Sequence, residues 1–260
     1  MAAPRPHQLT VDGLSGKRAV VTGAGRGIGF AIAELLLASG ARVAVLAQHK
    51  ASAREAVRRL GSPLAFALHG DLADPDVNQG VLGEALERLG GLDILVNNAG
   101  WTLTTPFLSE SRTYWDRVLA VNLRAVILAC GAALPALQLE GGAIVNIVSD
   151  AGRVGMQGEA VYAAAKGGVI AFTKSIAQET ARKGVRANCV SPGPTRTRVL
   201  AENLAADGEV GRIERLLRRI PLRRAAEPAE VAQAAVFLAS DLASHITGQV
   251  LSVSGGLTMV

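Results

Sequence analysis

Tyr162 and Lys166 stand four residues apart in the alanine-rich run YAAAK. On a helix, residues four apart share a face, so the phenol and the ammonium address one small volume. Ser149 follows the apolar run GAIVNIV, 13 residues before Tyr162. A free phenol, with a pKa of about 10, is a poor base near neutrality. A fixed cation beside it favours the phenolate. Bringing that value to about 7 takes roughly 4 kcal/mol of differential stabilisation, which one lysine and a positively charged oxidised nicotinamide can supply. The combination suits moving a proton onto or off an alcohol oxygen. A Tyr-x-x-x-Lys pair also arises by chance on helices, so its meaning depends on the rest of the chain.

A second group could hold the partner such chemistry needs. The turn Thr22-Gly23-Ala24-Gly25-Arg26-Gly27-Ile28-Gly29 lies between a strand-like run and a helix-like run. Glycines there let the backbone approach a pyrophosphate, whose charge a helix N-terminus favours. Ligands in such sheets bind at the carboxyl ends of strands. Asp71-Leu72 and Asn97-Asn98-Ala99-Gly100 fall at such ends. Asp71 can either hydrogen-bond an adenine edge or cap the next helix. An acid at the end of the second strand would bind a ribose 2′-hydroxyl. The chain instead reads Ala47-Gln48-His49-Lys50. With no acid to repel a 2′-phosphate, NADP(H) is favoured. Arg26, His49 and Lys50 can reach such a phosphate or can be solvated surface charges. In the second case Gln48 could bind both ribose hydroxyls and accept NAD(H).

The elements that would position these groups alternate along the chain. Short apolar runs at 17–23, 41–47, 64–72, 93–100, 142–149, 185–193 and 249–256 read as strands. Helical stretches fall at 27–39, 51–60, 75–89, 111–138, 159–182 and 228–240. Near-continuous apolar strands indicate parallel strands covered on both faces. The expected class is therefore α/β, a doubly wound seven-stranded parallel sheet flanked by helices. Residues 1–16 read as a loose tail, 17–260 as one domain, and 194–227 as a mobile substrate flap.

Composition removes other classes. The 260 residues suit one large domain. Aromatics are only 3%, so the core must be built from Val, Ile, Leu and Ala. The net charge of +5 raises nucleic acid as a partner. The basic residues are dispersed, however, and no nucleic-acid motif accompanies them, so no nucleic-acid binding is expected. Cys130 and Cys189 have neither disulfide nor metal spacing and read as buried thiols in a reducing cytosol, with no metal site. The N-terminus has no apolar core, which argues against a secretory signal. The longest apolar stretch, 125–137, is too short to span a bilayer and contains Pro135. A cytoplasmic protein without membrane contact is expected.

Together these motifs resemble the short-chain dehydrogenase/reductase family over residues 14–259. The resemblance rests on TGAGRGIG (22–29), NNAG (97–100), Asn122, Ser149, YAAAK (162–166) and SPGPT (191–195). It implies a Rossmann fold and a set of roles. Ser149 would polarise the substrate oxygen, and Tyr162 would pass the proton. Lys166 would bind the nicotinamide ribose and lower the tyrosine's pKa. Asn122 would hold a water linking the site to solvent. Pro192, Gly193 and Thr195 would border the nicotinamide amide. The family also implies a homodimer or homotetramer.

A narrower resemblance is to hydroxyacyl-CoA dehydrogenases, through NNAGW, VNIVSDAGRVG and GEAVYAAAKGG, with 3-oxoacyl-carrier-protein reductases next. It implies a secondary alcohol and ketone interconverted on a CoA- or carrier-linked thioester. A small cyclic ketone or sugar, and a non-catalytic dinucleotide-binding regulator, are the alternatives. Pocket walls are expected from Trp101, from 153–159 and from 194–220. The flap arginines Arg196, Arg198, Arg212, Arg215, Arg218, Arg219, Arg223 and Arg224 could attract an anionic carrier. They could equally be the solvated side of an amphipathic helix with Ile213, Leu216, Leu217 and Ile220 inward.

Overall fold

A computed structural model describes residues 10–198, 200–201 and 217–260. Seven strands form one parallel sheet: β1 (Arg18–Thr22), β2 (Arg42–Ala47), β3 (Ala65–His69), β4 (Ile94–Asn97), β5 (Gly142–Ile147), β6 (Val185–Pro192) and β7 (Val250–Val253). Their order is β3-β2-β1-β4-β5-β6-β7. The order reverses between β1 and β4, which opens a crevice at the carboxyl ends of those two strands. The α/β, doubly wound, seven-stranded architecture is the one expected from the sequence.

Alternate residues of each strand enter opposite cores. Val21, Val43 and Val45 join one cluster, with Ile32 and Leu36 of α1 (Gly27–Ala38). Ala56 of α2 (Lys50–Leu60) belongs to the same cluster. Val20, Ala44 and Leu46 join the other, with Leu82 of α3 (Pro75–Leu89). The largest fully buried side chains are leucines and isoleucines. Burying one such side chain is worth about 1.5–3 kcal/mol, so a core without aromatics suffices for a sheet covered on both faces.

The long central helix is not continuous. It runs as α4 (Arg112–Leu119), a π-helical turn (Ala120–Arg124) and α5 (Ala125–Glu140). By length and composition this run is long and apolar enough to cross a membrane. Its Val126, Ala129, Cys130, Ala133 and Leu137 are packed in the second core cluster. A short helix, α6 (Ala151–Val154), precedes α7 (Ala160–Thr180). The last helix, α8 (Pro228–Ala239), packs across α1.

Two expected segments fall partly outside the described residues. Of the tail, residues 10–16 are docked rather than loose. Leu14 is 1% exposed, and the Val11 N–H donates to Ser39 Oγ at 3.0 Å. Of the 194–227 flap, 199 and 202–216 lie outside the described residues, Arg212 and Arg215 among them. Ile220 is buried while Arg218 and Arg219 are exposed, as in the amphipathic reading.

Candidate active site

The glycine turn after β1 is held by close approach. Gly23 adopts φ 63°, and a Cβ there would lie 2.8 Å from Ala99 Cα. Asn98 Nδ2 donates to the carbonyls of Thr22 at 3.0 Å and Gly23 at 3.1 Å. Thr22 Oγ1 in turn accepts from the N–H groups of Asn98 and Ala99. The amide of Asn98 is thus engaged in joining β1 to β4 at the crevice. At Gly29 a Cβ would collide with Asn98 Nδ2 and with the Gly23 carbonyl. Gly29 packs helix against turn and does not line the cleft, unlike Gly23, Gly25, Arg26, Gly27 and Ile28.

Those residues border a cleft of about 830 Å³ that runs across the strand ends. Ala47, Gln48, His49, Asp71, Leu72, Asn98, Ala99 and Gly100 line it, as do Pro192, Gly193 and Thr195. Ser52 joins them from α2, a contribution the sequence pattern had not indicated. Lys50 does not line it. Asp71 is not the cap of α3: Asp74 takes that place, accepting from the N–H groups of Asp76 and Val77. Asp71 instead meets Gln48 Nε2 at 3.2 Å and Arg117 Nη1 at 3.0 Å. Burial pushes its carboxyl up, but the Ala73 N–H and Arg117 outweigh this and hold it below the usual range.

This lining fits a nicotinamide dinucleotide. The N-cap of α1, Arg26, makes no side-chain capping hydrogen bond, which leaves the helix N-terminus uncapped toward the cleft. The N-cap of α2, His49, likewise makes none and stands at the end of β2. A pyrophosphate suits the first and a ribose phosphate the second.

Ser149, Tyr162 and Lys166 line the same cleft. Ser149 follows β5 and stands close enough to the Tyr162 phenol to oppose its upward shift. Lys166, one helical turn beyond Tyr162, is 3% exposed and donates to the Ile147 carbonyl at 2.9 Å. Its Nζ lies 5.7 Å from the Tyr162 ring centroid. Burial pushes Tyr162 well above the ordinary phenol value, Glu159 pushes the same way, and the nearby Ser149 hydroxyl works against both. Burial also pushes Lys166 down to about 8. A phenol lowered by the neighbouring lysine was expected from the sequence. Burial is instead the largest influence on the phenol, and it acts upward. Glu159 therefore acts on the phenol as well as forming part of the pocket wall.

Asn122 sits in the π-helical turn and is fully buried. Its Nδ2 donates to the Trp101 carbonyl at 2.7 Å and the Val118 carbonyl at 2.9 Å, while its Oδ1 accepts from the Trp101 N–H at 3.2 Å. It lies beneath Gly100 and clamps the start of the pocket wall without lining the cleft. Trp101, Thr102, Thr104, Met156 and Glu159 line the cleft on that side. The Trp101 ring is braced edge-on by Tyr114, with centroids 5.6 Å apart.

Among the described flap arginines, Arg198 lines the cleft. Arg196 pairs with Glu227 at 3.2 Å and Arg224 with Glu230 at 2.6 Å. Arg223 donates to the Arg218 carbonyl at 2.6 Å. Arg196 and Arg224 therefore pair within the protein, and Arg196 and Arg198 also border a hollow next to the cleft with Arg26 and Arg59. The thiols of Cys130 and Cys189 are buried and pushed up to about 12 and about 11 by that burial, as suits inert core groups. Among the described residues no cluster of His, Cys, Asp and Glu could hold a metal.

A family model described as Enoyl-(Acyl carrier protein) reductase matches residues 23–258. Among curated proteins, the chain is 38% identical over 252 residues to the 3-oxoacyl-[acyl-carrier-protein] reductase FabG of Chlamydia muridarum, covering 94% of this chain and 98% of the relative. It is 39% identical over 250 residues to the protein of that name from Staphylococcus aureus, with 94% and 98% covered. An uncharacterized oxidoreductase of Mycobacterium bovis is 39% identical over 246 residues, with 94% and 97% covered.

Proposed function

The chain belongs to the short-chain dehydrogenase/reductase family and is an oxidoreductase that uses a nicotinamide dinucleotide, and from that premise we propose that it reduces a 3-oxoacyl thioester to the 3-hydroxyacyl thioester with NADPH. The observation that carries the reading is the convergence of Ser149 and Tyr162 in the wall of the dinucleotide cleft, with Lys166 fixed one helical turn behind. Two hydroxyls that meet there can both address one carbonyl oxygen. The similarity to proteins named 3-oxoacyl-[acyl-carrier-protein] reductase supports a carrier-linked substrate.

In this reading the uncapped N-terminus of α1 and the glycine turn hold the pyrophosphate. Pro192, Gly193 and Thr195 orient the nicotinamide, which when bound supplies the hydride. Ser149 donates a hydrogen bond to the substrate carbonyl oxygen and holds it against Tyr162. The Tyr162 hydroxyl gives its proton to that oxygen as negative charge develops. A protonated Lys166 offsets the phenolate left behind, an electrostatic contribution that grows in the low-dielectric site. Asn122 keeps Trp101 and Gly100 in place, so that the pocket wall does not yield when substrate enters.

NADPH is preferred in this account because buried Ala47 offers no acid to a 2′-phosphate. Arg26, His49 and Ser52 all line the cleft, Arg26 at the start of α1 and the other two where α2 begins. The protein assembles as a homodimer or homotetramer in the same proposal.

The test is NADPH consumption with acetoacetyl thioesters of CoA and of acyl carrier protein. A crotonyl thioester is the comparison, because the matching family description names enoyl reduction. Turnover of the ketone without turnover of the alkene supports the reading, and the reverse pattern overturns it.

A further inference from the structure

Asp150 directly follows Ser149 and is 1% exposed. Its Oδ1 accepts from the Ser191 hydroxyl at 2.8 Å and the Ser252 hydroxyl at 3.1 Å. Its Oδ2 accepts from the Thr258 hydroxyl at 2.5 Å. These donors stand on β6, on β7 and on the C-terminal segment. No lysine or arginine pairs with Asp150 among the described residues. A buried carboxylate without a cation costs several kcal/mol unless its lone pairs are filled, and three hydroxyls fill them here. Hydrogen bonds to a charged acceptor are short and directional, which makes the joint stiff.

The backbone of Asp150 is tied as firmly as its side chain. Its N–H donates to the Pro192 carbonyl at 3.2 Å, and its carbonyl accepts from Arg153 at 3.0 Å and Val154 at 3.1 Å. Ser149 is therefore the last residue before a locked point that reaches the Pro192–Gly193 wall, β7 and Thr258 together.

We propose that Asp150 is a positioning residue: through its three hydroxyl partners it fixes the Ser149 turn against the nicotinamide wall and makes the C-terminal segment, through Thr258, part of the active-site frame. This rests on the reading that Ser149 polarises the substrate carbonyl. Misplacing such a group by about 1 Å costs up to a hundredfold in rate.

The full-length chain with Asp150→Ala, Asp150→Asn or Thr258→Val is compared with Ser149→Ala. The readouts are kcat and KM for an acetoacetyl thioester, NADPH binding by fluorescence and the thermal midpoint. Asp150→Ala is expected to lower kcat roughly ten- to a hundredfold while NADPH affinity changes by less than about threefold. Asp150→Asn keeps one acceptor oxygen and recovers part of the rate. Thr258→Val lowers kcat about threefold or more alone, and not further when Asp150 is already Ala, as for two members of one network. Normal kcat in Asp150→Ala beside an inactive Ser149→Ala overturns this inference and leaves the reaction standing. A lower thermal midpoint with normal kcat overturns it too, since the role is then structural only. An active Ser149→Ala overturns the reading of Ser149 and this inference with it. If Asp150→Ala fails to fold, unchanged kcat in Thr258→Val overturns the proposal and a lowered kcat supports it.

Discussion

The ammonium of Lys166 donates to the carbonyl of Ile147 at 2.9 Å, which ties the cation to β5 two residues before Ser149. Burial that pushes Lys166 down to about 8 gives the enzyme a pH limit. Below that value the lysine is charged and can offset a developing phenolate; above it the charge is lost. The kcat/KM of ketone reduction should be level below about pH 8 and fall as pH rises through it. The folded chain also binds fewer protons here than the unfolded chain between about 8 and 10.5, so this group's contribution to stability rises with pH across that window. A reduction profile that stays level to about pH 10 would contradict the assignment of Lys166.

Arg26 stands exposed at the cap of α1 and lines the cleft, beyond the buried end of β2 at Ala47. Arg26→Ala should weaken NADPH binding about tenfold or more and leave NADH binding within about twofold, because charge-assisted hydrogen bonds to the 2′-phosphate are lost. Dissociation constants for the two reduced dinucleotides, measured on both proteins, check this. Tighter NADH than NADPH binding in the native chain would remove the basis of the expectation.

Asp93 is 8% exposed and accepts from the Arg18 backbone N–H at 2.7 Å, from its Nε at 2.8 Å and from its Nη2 at 3.0 Å. The pair joins the start of β1 to the residue before β4, beneath the crevice. Asp93→Asn leaves a guanidinium facing a neutral amide and should cost about 2–4 kcal/mol of folding stability. Urea unfolding reads it directly, and a loss below about 0.5 kcal/mol would place the pair among ordinary surface salt bridges.

Much of this was legible in the sequence because it rests on local patterns. Apolar runs such as KRAVVTG and GAIVNIV must be covered on both faces, and that alone indicates a parallel sheet. The spacing of Ser149, Tyr162 and Lys166 brings them together once β5 and α7 are recognised. The π-helical turn at Asn122 was not legible, since its residues continue a helical pattern without a break. The docking of residues 10–16 depends on one buried leucine in a polar segment. The partners of Asp150 come from positions 41, 102 and 108 residues away, and no local pattern announces them. The balance at Tyr162 also escaped, because burial and Glu159 act through the assembled site.

The central claim is that the Tyr162 hydroxyl passes the proton to the substrate oxygen. Tyr162→Phe keeps the ring and its packing and removes only that hydroxyl. The decisive measurement is the NADPH-dependent reduction rate of an acetoacetyl thioester by this variant and by the native chain, with NADPH affinity measured on both. The account predicts a rate below about a hundredth of native with NADPH affinity within about threefold, because general-acid assistance contributes about a hundredfold or more. A variant that still reduces the ketone at about a tenth of the native rate or faster would contradict it.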